Sequence, residues 1–135
     1  MGSHLVTPRL GFTHHGIYVG NGRVVRRRSR AHRLPGGPVA ETSLAHFAHG
    51  YRIWVRSDGT PRFRSDEVIR RARSRLGEEC YRLLSNNCEH FCESCMHGQP
   101  RSHQVERASL LPLLIRVRQA AVALLLNVPS RLARS

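Results

Sequence analysis

The residues able to do chemistry are concentrated in two strings. One is Ser85-Asn86-Asn87-Cys88-Glu89-His90-Phe91; the other, far upstream, is Thr13-His14-His15-Gly16-Ile17-Tyr18-Val19-Gly20. Cys88 follows two amides and opens a segment that reads as a helix running to Gly98. A thiol at a helix N-terminus is favoured as thiolate, because unpaired backbone N–H groups and the helix dipole attract negative charge. A cysteine nucleophile also needs a base brought near it, and His14 is the candidate. A third polar group would then orient the imidazole. Spacing alone does not pair two residues so far apart, and a cysteine taken singly is more often a buried structural residue.

Strands and turns must bring these strings together. His4 to Arg9 reads as a short strand ended by Pro8, with no weight placed on Met1-Gly2-Ser3-His4. His14 to Val19 is β-rich, Asn21-Gly22 is a hairpin turn signal, and Arg23-Val24-Val25 is the return strand. Residues 26–37 lack an apolar period and read as a basic loop. Val39-Ala40-Glu41 suggests a short strand, and Ser43 caps a brief helix through His49. Tyr51 to Arg56 alternates as a half-buried strand does. Ser65 caps a helix with Val68, Ile69, Ala72 and Leu76 on its apolar side, ended by Gly77. Tyr81-Arg82-Leu83-Leu84 reads as a strand feeding the Cys88 helix.

The chain has 135 residues, a length that suits one domain and one core. Its net charge is +13, and no lysine is present, so arginine carries the formal positive charge. Such a surface favours anionic partners: acidic lipid headgroups, nucleic acid or other polyanions. The equally simple reading is coding composition. Three of the four cysteines (Cys80, Cys88, Cys92, Cys95) crowd one short stretch, which is poor spacing for a disulfide framework. With no apolar secretory run near the first residue, a cytoplasmic setting is expected. Residues 108–135 form an apolar-basic tail. Pro112, Arg116, Arg118 and Gln119 interrupt it, so it is expected to lie on a membrane, a partner or its own domain rather than to span a bilayer, which takes about 20 apolar residues.

Two other chemistries fit residues of this chain. Cys88-x3-Cys92-x2-Cys95 has the spacing of a cluster-binding motif, and His90 or His97 adds zinc to the options. The cluster motif belongs on a far larger barrel, and on a helix the three cysteines share a face suited to packing. No metal and no cofactor are expected. The cluster Arg26, Arg27, Arg28, Arg30 and Arg33 could meet phosphates, but no reader fold or stacking aromatics accompany it, so nucleic acid is a disfavoured partner.

The two strings, His14-His15-Gly16-Ile17-Tyr18-Val19-Gly20-Asn21-Gly22-Arg23-Val24-Val25 and Asn87-Cys88-Glu89-His90-Phe91, resemble the lecithin:retinol acyltransferase (LRAT) domain family. His4 to Arg9 is similar to that family's opening strand. The family belongs to the NlpC-type, papain-like thiol enzymes in circularly permuted order. The resemblance implies an α+β fold over residues 1–107, an antiparallel sheet packed against helices with the cysteine at a helix N-terminus. It implies Cys88 as nucleophile, His14 as general base, and acyl transfer or hydrolysis on lipid esters or amides through a thioester. Asn87 and nearby backbone are expected to support the oxyanion. One departure stands out: where the family places a second histidine after the return strand, this sequence has Arg26. Arginine has five donors and no acceptor, so it cannot take that histidine's part. His32 is a substitute only as a loop residue. The rival expectation is a catalytically silent module of the same fold that binds anionic lipid or nucleic acid through its arginine-rich face. The expected partners are therefore a lipid or other acyl substrate and an anionic membrane surface, with the oligomeric state left open.

Overall fold

The computed structural model describes residues 1–30, 34–57, 59–79 and 87–99, together with Ile115 and Gln119. Its strands are β1 (His4–Arg9), β2 (Phe12–Gly20), β3 (Arg23–Arg30), β4 (Leu34–Ser43) and β5 (Trp54–Val55). Its helices are α1 (Leu44–Ala48), α2 (Ser65–Ser74) and α3 (Cys88–His97). The strands form one antiparallel sheet in the order β4-β3-β2-β1-β5. The chain is thus α+β, as the sequence led us to expect. Contacts divide it into two units, Met1–Ser102 and His103–Ser135. Of the second, Ile115 and Gln119 are described, and both are helical.

The β2–β3 hairpin turns on Asn21 and Gly22, with φ of 50° and 67°. A tight turn whose central residues both have positive φ matches the twist of the strands it joins. The register pairs Gly16 with Arg26, Ile17 with Val25 and Tyr18 with Val24. Period-2 alternation then separates two faces. Ile17, Val19, Val25 and Val39 pack with Val68 and Ala72 of α2 and with Phe91, Cys92, Cys95 and Met96 of α3. Leu5 and Val24 pack with Phe47 of α1 on the other face. Full burial of a side chain such as Phe91 contributes roughly 2–3 kcal/mol. Gly16 is required by close approach: a Cβ there would lie 2.5 Å from Val24 Cγ1 and 3.1 Å from Phe47.

Several local expectations are corrected. The stretch read as a basic loop is largely paired strand, because β3 extends to Arg30 and β4 begins at Leu34. Arginines stand where a strand usually shows apolar residues, and the interior accepts them by pairing: Arg27, 1% exposed, bonds the Glu78 carboxylate. β1 continues through Pro8 to Arg9, since Pro8 faces Thr13 without breaking the pairing. Met1 to His4, given no weight above, belongs to the fold: the Gly2 N–H donates to the Tyr18 carbonyl at 2.7 Å, and His4 is 2% exposed. The half-buried strand at residues 51–56 reduces to Trp54–Val55, and both residues are exposed. Ser65 lies inside α2, whose N-cap is Arg64 with no side-chain cap, and Leu76 is exposed rather than packed. Ser43 does cap α1, accepting from the His46 N–H at 3.1 Å. Tyr81 to Leu84 lie outside the described residues. Among the described residues no helix is long and apolar enough to cross a membrane.

Candidate active site

The start of α3 is set by Asn87. Its Oδ1 accepts from the Glu89 and His90 N–H groups, each at 3.0 Å, and the Asn87 N–H points back to His90 Nδ1 at 3.4 Å. This is a capping box with histidine in the place usually held by Glu or Gln. The Asn87 side-chain oxygen is therefore engaged by the helix end, and its amide nitrogen is the side-chain group able to donate. Cys88, the first residue of α3, is half-buried. The β2–β3 register ends at Gly16–Arg26, and just beyond it the Cys88 thiol meets the β2 backbone. Its S–H donates to the Thr13 carbonyl at 3.9 Å.

Burial pushes the Cys88 thiol up to about 11, while the N–H groups of His15, Cys88 and Glu89 pull in the opposite direction. Desolvation thus opposes the thiolate expected at a helix N-terminus. The donors are present, but desolvation of the charged sulfur outweighs them.

His14 sits on β2, on the α1 face, stacked against Phe47 with ring centroids 5.7 Å apart. Its Nε2 lies 2.8 Å from Arg26 Nη1. A guanidinium only donates, so Nε2 must accept, and the neutral ring then carries its proton on Nδ1. Burial first, and Arg26 second, hold the His14 imidazole down to about 3. Among the described residues no hydrogen bond joins Cys88 to His14. In this arrangement the thiol is protonated, the imidazole is neutral, and its free lone pair is taken by Arg26.

The opposite face carries a second polar chain. His15 Nδ1 is 2.8 Å from His4 Nε2, and His15 Nε2 is 2.9 Å from Thr13 Oγ1. His4 Nδ1 lies 3.6 Å from Glu93, and Glu93 lies 3.9 Å from His97. Beside it, Arg56 donates to the buried Glu89 at 2.6 Å. Burial, followed by His15, also brings His4 down to about 3. His4 and His14 thus stay neutral in the folded chain, while in the unfolded chain each binds a proton near 6.5. Between those values the unfolded chain holds more protons, so stability rises with pH and is lost as pH falls from about 6.5 towards about 3. Two such groups give a slope approaching about 2.7 kcal/mol per pH unit in that window. Urea unfolding at pH 7, 6 and 5 checks this, and His4→Gln should remove about half of the slope. A flat profile would contradict it.

The structure brings Asn87 and Cys88 together on α3 and His14 together with Arg26 across β2 and β3. His32 lies outside the described residues. Cys92 and Cys95 are buried in the core, and burial raises both thiols. His4 and Glu93, the supports of His15, were not singled out from the sequence. The available signal was period-2 placement of His4 on the His15 face.

An antiparallel sheet with helices, and Cys88 at the capped start of α3 against the His14-bearing β2, defines an α+β fold. A sequence model of the lecithin retinol acyltransferase family matches residues 1–101. The chain is 33% identical to lecithin retinol acyltransferase of Rattus norvegicus, over 90% of this chain and 65% of that protein. It is 30% identical to the Homo sapiens protein of the same name, over the same shares. Against phospholipase A and acyltransferase 2 of Homo sapiens it is 32% identical, over 80% of this chain and 76% of that protein. The chain belongs to the lecithin retinol acyltransferase family. It spans 65% of the length of the lecithin retinol acyltransferases it matches.

Proposed function

We propose that the chain transfers or hydrolyses acyl groups of lipid esters or amides through a thioester on Cys88, with His14 as proton acceptor. The observation that carries this reading is the place of Cys88, the first residue of a capped helix, against the His14-bearing strand of a lipid-acyltransferase family fold. Relatives named lecithin retinol acyltransferase and phospholipase A and acyltransferase support a phospholipid as the acyl donor. In the first step the Cys88 S–H proton passes to His14 as sulfur bonds to the ester carbonyl carbon. The acyl C–O bond then breaks, and the leaving alkoxide takes the proton from the imidazolium. In the second step an acceptor hydroxyl, an amine or water attacks the thioester, the C–S bond breaks, and the acceptor's proton passes through His14 to the departing Cys88 thiolate.

Arg26 works against this sequence. It occupies the lone pair that would receive the proton, and its charge opposes the imidazolium. Turnover is confined to the fraction of molecules in which the Arg26–His14 bond has opened, and the observed rate scales with that fraction. We therefore expect slow release of fatty acid from phosphatidylcholine vesicles, lowered a further tenfold or so by His14→Ala. No release above buffer would overturn the reading. A second reading draws on the Arg26–His14 bond itself: a silent module that binds anionic lipid on the same fold. It predicts no turnover in the wild type or in Arg26→His.

A further inference from the structure

Among the described residues Arg26 is a buried cation without a counter-charge. It is 8% exposed, yet its Nε is buried and has no hydrogen-bond partner. Nη1 makes both of its bonds, to His14 Nε2 at 2.8 Å and to the Arg27 carbonyl at 3.3 Å. Among the described residues no carboxylate pairs with it. Its neighbours are treated differently: Arg27 meets Glu78, and Arg56 meets Glu89. Arg26 is instead surrounded by more positive charge. After burial, Arg9 and then Arg28 are what bring its guanidinium down to about 10. Arg28 is exposed two residues further along β3, where the β3–β4 register shifts between Arg27 and Ser29. Arg9 is anchored there by the carbonyls of Phe47 and Ala48 at the end of α1.

A buried charge in a stable fold is normally paired. The side of a guanidinium formed by Nε–H and Nη2–H offers two parallel donors to two oxygens of one anion. In Arg26 that is the side left without an acceptor among the described residues. We propose that the Nε–Nη2 edge of Arg26, flanked by Arg9 and Arg28, binds a phosphate-group anion beside His14. Three guanidinium charges with no acid among them suit the charge and the several oxygens of a phosphate better than a single carboxylate. A bound phosphate would offset the Arg26 field at His14 and compete for the guanidinium. That consequence rests on His14 being the proton acceptor; the binding itself does not.

The test uses the whole chain carrying Cys88→Ala, so that it is independent of turnover. Thermal unfolding is followed as inorganic phosphate replaces chloride at constant ionic strength, and sedimentation is followed with phosphatidylcholine vesicles with and without phosphatidic acid. In the first arm the midpoint is expected to rise by about 5 °C once phosphate exceeds its Kd about tenfold. Arg26→Gln should abolish this rise. A response confined to the vesicle arm, needing phosphatidic acid and reduced at least about fivefold by Arg26→Gln, supports the site with the phosphate read on a lipid headgroup. Equal responses of the parent and Arg26→Gln in both arms, or no response in either, would overturn it. Should Arg26→Gln fail to fold, the exposed Arg28→Gln decides: weaker phosphate binding supports the site, and unchanged binding overturns it.

Discussion

Replacing Arg26 by histidine is expected to raise acyl turnover at least about tenfold. The argument is one of hydrogen-bond valence. In the wild type, Arg26 Nη1 donates to His14 Nε2, so the neutral His14 ring has no lone pair left for the Cys88 proton. A neutral histidine at position 26 both donates and accepts, so it can receive the His14 N–H and leave the other ring nitrogen open. It also removes the guanidinium charge that, after burial, does most to hold His14 down to about 3. The same change should appear in thiol chemistry. Wild-type Cys88, pushed up to about 11, should react with iodoacetamide at rates that climb steadily with pH. In Arg26→His the profile should gain a plateau below the ordinary thiol value of about 8.5, and His14→Ala should erase it. If turnover and profile both stay unchanged, Arg26 is not what restrains the site.

The larger loss is expected from Cys88→Ala, which should reduce turnover at least about 1,000-fold in both the wild-type and the Arg26→His backgrounds. Nothing else at the start of α3 can take over the covalent step. Asn87 and His90 are committed to the capping box, and Glu89 is bonded to Arg56. The fold should survive the change, because the cap and the apolar contacts of Phe91, Cys92 and Cys95 do not involve the sulfur of Cys88. Unchanged far-ultraviolet circular dichroism together with lost turnover would separate chemistry from folding. Retention of full activity would remove Cys88 from the mechanism.

The parts of this site that were legible in the sequence are those with a local cause. The sequence reads a helix opening at Cys88 and running to Gly98, and α3 spans Cys88–His97. Asn21-Gly22 predicts the hairpin that carries His14 and Arg26 to neighbouring strands. The arginine-rich half of β3 was not legible. Strand prediction relies on apolar residues at alternate positions, and here Arg26 and Arg27 fill inward positions whose partners, His14 and Glu78, come from elsewhere in the chain. The burial of Cys88 is not legible for a related reason. A helix N-terminus is visible in sequence, whereas the burial that outweighs it depends on how α3 packs against β2. His4 shows the same dependence, because its role rests on His15 and Glu93, which only the folded sheet places beside it.

The central claim is a covalent acyl group on Cys88, and peptide mass spectrometry after brief exposure to a phospholipid donor tests it most directly. In Arg26→His, and more slowly in the wild type, the Cys88 peptide is expected to gain the mass of one acyl chain. Hydroxylamine should remove that mass, and Cys88→Ala should never show it. Acyl release that proceeds with Cys88 unmodified, or with the acyl group on another residue, would contradict the account.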